Sequence, residues 1–341
     1  MRAARGIQVV NTVWALAECA EVFFVPAAFS PKSKDFYDLK GKGPRIFPVS
    51  RHLGPFKSQF LFVLKILPLA RKMTVLFTRH LKTAWWLLKF RPLHERPVVY
   101  EVHEIFKEKN KGLAGLETFV LQKANGLITV SKGLEKEISA QFKVLRIVSI
   151  PNGTRAGRPF NPDKLLGTID KVFYVGSSRY FWKGTSLLSQ VAGLLPPEIK
   201  LVIVGNGSPK NLDSKVELLG FHPPARTYQI LEKAALTVLP NSRKNRQSRF
   251  YTCPLKLLDY MASGCAIVAS DLPSIREIVS PEEALLVSPD DAPALAEGIK
   301  RLLVDQKLRL SLGRAAYEKA KEFSWEKRAT KLKRFLQEVA H

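Results

Sequence analysis

The chain has few acidic residues and few cysteines. Only 30 of its 341 residues are Asp or Glu, against 54 Lys or Arg, so the formal net charge is +24 at pH 7. A surface with this excess of positive charge attracts phosphate groups, whether they belong to nucleic acids, anionic lipids or nucleotide diphosphates. The three cysteines, Cys19, Cys253 and Cys265, exclude a disulfide framework and zinc-finger spacing, and they are typical of a reducing compartment.

Long apolar runs are also scarce. The most apolar segment, residues 60–70, contains Lys65 and is followed by Arg71 and Lys72. It is shorter than the roughly 18 to 20 residues that a membrane span needs. The amino terminus lacks an apolar stretch closed by a small-residue cleavage site of the signal-peptide type. We therefore expect a cytoplasmic protein.

Short β-branched and aromatic runs alternate with amphipathic segments along the chain. This alternation predicts parallel sheets with helices on both faces, because parallel strands need a crossover connection. A loop rich in Pro, Gly and Arg at residues 151–167 separates two similar α/β domains, which we place at 1–154 and 165–322. The predicted strands are Val22–Val25, Arg45–Val49, Met73–Phe77, Val98–Val102, Leu127–Val130, Ile147–Ile150, Val172–Val175, Leu201–Val204, Val216–Leu219, Leu236–Leu239, Ala266–Ala269 and Leu285–Val287.

A first candidate anion site follows the predicted strand at 172–175. Gly176 and Ser177 begin a loop, Arg179 and Lys183 follow, and Gly184 is interpreted as opening a helix. An arginine fork and a lysine ammonium both match phosphate oxygens. The alternative is a solvated loop with two ordinary surface cations.

A second candidate lies where a helix begins near residue 254. Pro254 suits the first helical position, so the N–H groups of Leu255 and Lys256 would be free to bind a phosphate. Asp259 lies one turn deeper on the same helical face and could accept two hydrogen bonds from a ribose. The alternative is an Asp that only stabilises the helix.

Two weaker signals lie nearby or at another strand end. A basic run just upstream of the second candidate is either a solvated face or an anion clamp. His103, at the end of the strand 98–102, either has a structural role or contacts a ligand at a cleft. The run consists of Arg243, Lys244, Arg246 and Arg249.

An ordered set of motifs resembles the retaining nucleotide-sugar glycosyltransferases of family four. GIQVVNTVWALAE, VVYEVHE and ANGLITVSKGLE resemble parts of the family's first domain, and FSWEKRA resembles its last helix. The second domain carries VGSSRYFWKG, LVIVGNG, VELLGF, LTVLPNS and PLKLLDYMASGCAIVASDLPSIREIV in the family's order. The resemblance implies the GT-B fold, in which two Rossmann-like doubly wound domains face each other across a cleft. A carboxy-terminal helix, here 325–341, would cross back to complete the first domain.

The resemblance also implies roles for individual residues. Lys183 would neutralise the donor diphosphate, Asp259 would hold the ribose, and the backbone at Gly220 and Phe221 would meet the base. His103 would touch the transferred sugar. The donor-binding set would be Gly176, Ser177, Arg179, Lys183, Gly220, Phe221, Tyr251, Pro254, Leu255, Lys256 and Asp259, and the catalytic set His103, Lys183 and Asp259.

The reaction implied by the resemblance is metal-independent transfer with retained anomeric configuration. The donor would be a nucleotide diphosphate sugar, and neither cofactor nor metal would be needed. The transition state would resemble an oxocarbenium ion, and the leaving diphosphate would receive the acceptor proton.

The chain departs from the family at three places. Ser177 stands where the family has an arginine, and Tyr251 stands where it has the first of two glutamates eight positions apart. The family's first strand and Gly-rich loop would precede the helix that already includes Ile7, and we expect that the natural gene starts upstream. A GT-B scaffold that has lost catalysis and serves as a partner subunit is therefore an alternative reading.

The segment 56–96 gives a clue to the class of acceptor. It holds nine Lys or Arg against the single acid Glu95, interleaved with Leu, Phe and Trp. Such a surface is typical of proteins that bind an anionic membrane, so we expect peripheral binding at the inner face of the membrane. There the protein would bind a lipid-linked or cell-envelope glycan as its acceptor. The alternative is that these apolar residues pack on the sheet. A basic nucleic-acid-binding protein is a further alternative, but no zinc finger, RNA-recognition or KH signature supports it, and no nucleic acid partner is expected.

Overall fold

Helices and strands alternate throughout the computed structural model, which describes residues 4–26, 29, 31–49, 52–53, 56–108, 110–207 and 212–341. The helices are α1 (Ala4–Ala17), α2 (Pro31–Tyr37), α3 (Gln59–Ala70), α4 (Leu81–Lys89), α5 (Arg91–His94), α6 (Ala114–Lys123), α7 (Lys132–Gln141), α8 (Leu187–Leu194), α9 (Pro224–Lys233), α10 (Leu255–Ala262), α11 (Pro273–Arg276), α12 (Ala292–Val304), α13 (Gln306–Ala320) and α14 (Trp325–Ala340). The strands are β1 (Phe23–Phe24), β2 (Arg45–Ile46), β3 (His52–Leu53), β4 (Phe56–Lys57), β5 (Leu76–Thr78), β6 (Val98–Val102), β7 (Gly126–Thr129), β8 (Ile147–Ser149), β9 (Lys171–Val175), β10 (Lys200–Val204), β11 (Val216–Gly220), β12 (Leu236–Leu239), β13 (Ala266–Ser270) and β14 (Leu285–Val287).

The strand predictions are confirmed. The strands predicted at 98–102, 236–239 and 285–287 have the observed bounds, and the others differ by at most three residues at either end. The short strands β3 and β4 were not predicted. Among the described residues, no helix has both the length and the apolar character to cross a membrane.

The second half of the chain forms a six-stranded sheet in the order β11-β10-β9-β12-β13-β14, and every neighbouring pair is parallel. The chain runs from β9 outward to β11 on one side and then returns to β12 on the other side. In an open parallel sheet, this reversal leaves a crevice at the carboxyl ends of the two central strands, where ligands bind. Residues 176 and 240 directly follow these two strands.

The first half contains a four-stranded parallel sheet, β5-β6-β7-β8, and a separate parallel pair, β1-β2. Strand β6 is buried along its whole length, as expected for a strand covered by helices on both faces. Val22 next to β1 and Phe77 of β5 pack in one apolar cluster with Leu16 of α1. The two sheets of this half therefore share one apolar layer.

The last helix, α14, packs against α1 at the start of the chain and against the first sheet. Leu332 and Phe335 lie in the same apolar cluster as Val99 of β6 and Ile128 of β7. Arg328 of α14 is buried on the side of the helix that faces the sheet, and its guanidinium donates to the carbonyl oxygen of Ile150 at 2.6 Å. The helix thus covers the strands of the first half although it follows the second half in sequence.

Candidate active site at the junction of the two halves

Two glycines shape the loop that follows β9. Gly176 has a φ of 150°, and a Cβ atom there would lie 2.8 Å from the hydroxyl oxygen of Tyr174. Gly184 has a φ of 69°, and a Cβ atom there would lie only 1.6 Å from the carbonyl oxygen of Pro240, the residue after β12. Glycine therefore allows this loop to lie against the end of the other central strand.

Lys183 ends a 3₁₀ turn, Phe181–Lys183, within the same loop. The prediction that Gly184 opens a helix was wrong, because its left-handed conformation ends this turn and α8 begins only at Leu187. The Lys183 ammonium lies 5.1 Å from the ring centroid of Tyr180, and burial lowers its pKa below the usual lysine value. No carboxylate of the described residues forms an ion pair with it.

The side chain of Lys256 reaches from the first turn of α10 to the same loop. Its Nζ donates a hydrogen bond to the Tyr174 hydroxyl at 2.8 Å and lies 3.4 Å from the point that a Cβ atom on Gly176 would occupy. Burial lowers the pKa of Lys256 well below its usual value, and the nearby charge of Lys183 lowers it further. Within the described ranges, no carboxylate pairs with Lys256 either, so two ammonium groups lie near each other without a compensating acid.

Helix α10 starts one residue later than predicted. Pro254 is the residue before the helix, with an extended ψ of 113°, so its assignment to the first helical position was wrong. No side chain caps this end, and the N–H of Leu257 makes an early bond to the Pro254 carbonyl at 3.0 Å. The N–H groups of Leu255 and Lys256 lie before that bond. The positive end of α10 therefore adjoins the loop that carries Lys183.

Asp259 lies one turn into α10, as the sequence predicts. Its Oδ1 accepts hydrogen bonds from the Thr154 hydroxyl at 2.8 Å and from the Tyr228 hydroxyl at 2.7 Å. Burial raises the pKa of Asp259 to about 6, although both hydroxyls and the charge of Arg155 favour the ionised form. One oxygen of the carboxylate predicted to hold the ribose is thus occupied by protein hydroxyls, while no hydrogen bond within the described ranges reaches Oδ2.

Tyr251 is buried at the end of a π-helical turn, Gln247–Tyr251. Arg246 Nη2 donates to its hydroxyl at 2.6 Å, and burial raises the pKa of Tyr251 to about 12. The same guanidinium also pairs with Glu108 at 3.3 Å and with Glu137 at 3.0 Å, both from the first half of the chain. Because two acids neutralise Arg246, the anion-clamp interpretation of the basic run fails at this residue.

His103 lies just beyond β6 and faces a buried polar cluster. Its Nε2 is 3.3 Å from Oε1 of Glu101, a carboxylate that also accepts from Gln8 at 2.9 Å and from Arg328. Burial lowers the pKa of His103 to about 4, and this effect outweighs the attraction of Glu101. Gln247 of the second half donates to the His103 carbonyl oxygen at 2.8 Å. The imidazole is therefore neutral at pH 7 and adjoins the junction of the two halves.

The remaining predicted residues occupy the rim. Ser177 Oγ accepts a hydrogen bond from the N–H of Arg179 at 3.1 Å, and the Arg179 side chain is exposed. Gly220 ends β11 with a φ of 70°, and Phe221 stacks on Phe36 of α2 with ring centroids 6.2 Å apart. The structure thus brings Gly176, Lys183 and Lys256 together, with Asp259 deeper and Phe221 two strands away.

Sequence reasoning missed two tyrosines of this site, Tyr174 and Tyr228, and also Thr154. Tyr174 could have been found, because residues i and i+2 of a strand lie on the same face, which places its side chain on the same face as Gly176. Tyr228 and Thr154 carry no such signal, since only tertiary contacts bring them to Asp259. Within the described part of the chain, no group of three or more His, Cys, Asp or Glu side chains converges to hold a metal ion.

Two family models match the chain in succession. Glycosyltransferase Family 4 matches residues 6–158, and Glycosyl transferases group 1 matches residues 169–305. The chain belongs to these family-four, group-1 glycosyltransferases, and its architecture is the GT-B fold.

Two similar proteins of named activity illustrate the partial matches. The N-acetylgalactosamine-N,N'-diacetylbacillosaminyl-diphospho-undecaprenol 4-alpha-N-acetylgalactosaminyltransferase of Campylobacter jejuni is 31% identical over 153 residues, which cover 41% of this chain and 40% of that protein. The phosphatidyl-myo-inositol mannosyltransferase of Mycobacterium leprae is 28% identical over 207 residues, which cover 57% of this chain and 54% of that protein. The chain thus spans about half the length of these relatives.

A solved structure shares the fold over nearly the whole chain. The Anabaena protein Alr3699/HepE, crystallised with UDP and glucose, superimposes with a TM-score of 0.78 at 16% identity. The match covers 99% of this chain and 96% of that one.

Proposed function

We propose that this protein transfers a sugar from a nucleotide diphosphate sugar to an acceptor, with retention of anomeric configuration and without a metal or cofactor. One observation carries the proposal. At the crevice between β9 and β12, Lys183 has no carboxylate partner within the described residues, and the uncapped start of α10 adjoins it. Asp259 lies one turn deeper with Oδ2 available. Phosphates match the first two groups, and a ribose hydroxyl matches the carboxylate.

The chemistry follows from where charge develops. As the bond between the anomeric carbon and the diphosphate oxygen breaks, negative charge grows on the leaving group. A fixed ammonium and a helix end stabilise that charge without reorganising. The acceptor oxygen then bonds to the oxocarbenium-like carbon on the same face, and its proton passes to the departing diphosphate. His103 would contact the transferred sugar as a neutral imidazole.

We place the acceptor among lipid-linked or cell-envelope glycans. The names of the Campylobacter and Mycobacterium relatives specify an undecaprenol-linked and a phosphatidylinositol acceptor, respectively. The residues 1–154 with helix 325–341 would hold this acceptor, and the residues 165–322 would hold the donor.

A surface on α3, α4 and α5 supports binding to an anionic membrane. Phe60 and Leu64, one helical turn apart on α3, are both 37% exposed, and Leu93 of α5 is 45% exposed. Phe60 packs on Trp86 with ring centroids 4.8 Å apart, and Trp86 stacks on Phe90. The same helices and the turns after them carry exposed cations: Lys65, Arg71, Lys72, Lys82, Lys89, Arg91 and Arg96.

A groove next to this surface has the same mixed character. It has a volume of about 560 Å³ and is lined by apolar Leu88, Pro92 and Phe119, by the cations Arg91 and Lys123, and by one acid, Glu95. Apolar side chains ringed by cations are the pattern that binds acidic headgroups at a bilayer surface. We therefore propose a peripheral location at the cytoplasmic face of the membrane.

The first experiment is a thermal-shift screen against UDP, GDP, ADP, TDP and CDP, because a ligand that binds only the native state raises the melting temperature. The nucleotide that gives a shift then defines the sugar nucleotides to test for hydrolysis and transfer, with and without chelator. We expect one base to be preferred and chelator to have little effect. Absence of any shift, together with no binding by calorimetry, would contradict the proposal.

A second candidate function is a non-catalytic GT-B subunit. It is favoured by Tyr251, which stands in place of a family acid and whose hydroxyl is already engaged by Arg246. Nucleotide binding without hydrolysis or transfer of any tested sugar nucleotide would select this candidate.

A further inference from the structure

The positive charge around the loop after β9 is large enough to bind more than one phosphate. Lys183 and Lys256 are both partly buried, and the positive end of α10 lies beside them. No described carboxylate neutralises either lysine. Two ammonium groups held close together destabilise each other until a dianion lies between them.

The position of Lys256 is fixed by one side chain. Its Nζ donates to the Tyr174 hydroxyl at 2.8 Å and lies 4.0 Å from the centroid of the same ring. Tyr174 is fully buried in β9, so its hydroxyl is an immobile anchor. One N–H of the ammonium is used in this bond, and the other two have no acceptor among the described residues.

Because Gly176 has no side chain, it leaves room for the Tyr174 hydroxyl and the Lys256 ammonium beside the loop. A Cβ atom at that position would contact both the Tyr174 hydroxyl, at 2.8 Å, and the Lys256 ammonium, at 3.4 Å. The backbone of the loop therefore passes close to the ammonium without a side chain between them. An anion bound by the loop is thus within reach of Lys256.

We propose that the Lys256 side chain is the second cation that binds the donor diphosphate, opposite Lys183, and that Tyr174 is the residue that positions it. This inference rests on the proposed function and deepens it, because it assigns two residues to the diphosphate of the donor. Lys256 touches substrate, whereas Tyr174 acts only through Lys256.

The test compares UDP with uridine by calorimetry, or the corresponding pair for whichever nucleotide the thermal-shift screen selects. Lys256→Ala should weaken UDP binding by about 10- to 100-fold, as expected for loss of a charge-assisted contact, and leave uridine binding unchanged. Tyr174→Phe should weaken UDP binding by about 3- to 10-fold. Lys200→Ala, an exposed lysine at the opposite end of the same sheet, is the matched control and should bind UDP like the wild type.

A double-mutant cycle separates positioning from a merely structural role. If Tyr174 acts through Lys256, Tyr174→Phe should have no further effect on UDP affinity in the Lys256→Ala background. An undiminished effect there would overturn the positioning role, and equal losses for UDP and uridine in Lys256→Ala would overturn the phosphate contact. Unchanged UDP binding in Lys256→Ala with weakened binding in Lys183→Ala would overturn this inference alone. No binding of any nucleotide to the wild type would instead refute the proposed function.

Discussion

The carboxylate of Glu277 caps helix α7 at Gly133, across the junction between the two halves of the chain. Its Oε1 accepts from the Gly133 N–H at 2.8 Å, and its Oε2 accepts from the Lys132 N–H at 2.7 Å. A Cβ atom on Gly133 would lie 2.3 Å from the Phe250 carbonyl oxygen, so only glycine permits this approach. The free N–H groups and positive end of a helix in one half are thus satisfied by an acid from the other.

Removing this cap should destabilise the protein. Glu277→Ala removes two solvent-exposed hydrogen bonds from the first turn of α7, so we expect the free energy of unfolding to fall by about 0.5 to 1.5 kcal/mol. Urea denaturation would measure the loss. Glu282→Ala, which changes an exposed acid in the same half, is the matched control. Equal stability of the two variants would show that the cap contributes nothing.

The donor site predicts a specific pattern of affinities. Lys183→Ala should weaken nucleotide diphosphate binding by about 1.5 to 3 kcal/mol through loss of a charge-assisted contact. Asp259→Asn should weaken nucleotide binding and turnover together, because the carboxylate would hold the ribose in both states. Calorimetry and steady-state kinetics test these expectations. Unchanged affinity in both variants would refute this donor site.

The raised pKa of Asp259 predicts a pH-dependent stability. A carboxyl whose folded pKa of about 6 exceeds its ordinary value of 3.8 stabilises the fold below pH 3.8, and this contribution is lost as the pH rises through 6. Wild type should therefore lose stability relative to Asp259→Asn between pH 4 and about 6.5, by no more than about 3 kcal/mol, and change little above that. Melting curves of both proteins across this range provide the measurement. A difference in melting temperature between the two proteins that does not change with pH would contradict the raised pKa of Asp259.

His103 should stay neutral far below the usual histidine range. Because burial lowers its pKa to about 4, an NMR titration of the imidazole should show no protonation between pH 7 and about 5. His103→Ala should lower turnover while leaving nucleotide diphosphate affinity nearly unchanged, since the residue would contact only the sugar. A titration midpoint near 6.5, or a matching loss of nucleotide affinity, would count against this role.

The proposed membrane surface predicts salt-sensitive binding to vesicles. The protein should sediment with liposomes rich in phosphatidylglycerol and be released by about 0.5 M salt, where screening shortens to a few ångströms. The double variant Phe60→Ser with Leu64→Ser should bind less, because it removes the exposed apolar pair. Leu145→Ser removes a leucine that is 85% exposed away from this surface, and it should bind like the wild type. Equal binding to neutral and anionic vesicles would refute the proposal.

Sequence periodicity alone determined the order of every strand except the short pair β3 and β4. Strands such as Leu236–Leu239 are short runs of apolar and β-branched residues buried on both faces, so their bounds follow from local composition. The positions of Gly176, Lys183 and Asp259 relative to those strands followed as well. Boundaries at Gly184 and Pro254 were wrong because a left-handed turn and an extended ψ depend on contacts with other segments, such as the carbonyl of Pro240.

Only the tertiary structure decided which side chains pair. Arg246 belongs to a basic run in sequence, yet Glu108 and Glu137 from the other half neutralise it, while Lys256 meets no acid within the described residues. Asp259 receives the hydroxyls of Thr154 and Tyr228, which lie 105 and 31 positions away. Local sequence limits the backbone to a few conformations, but the charge of a site is the sum over residues that only folding brings together.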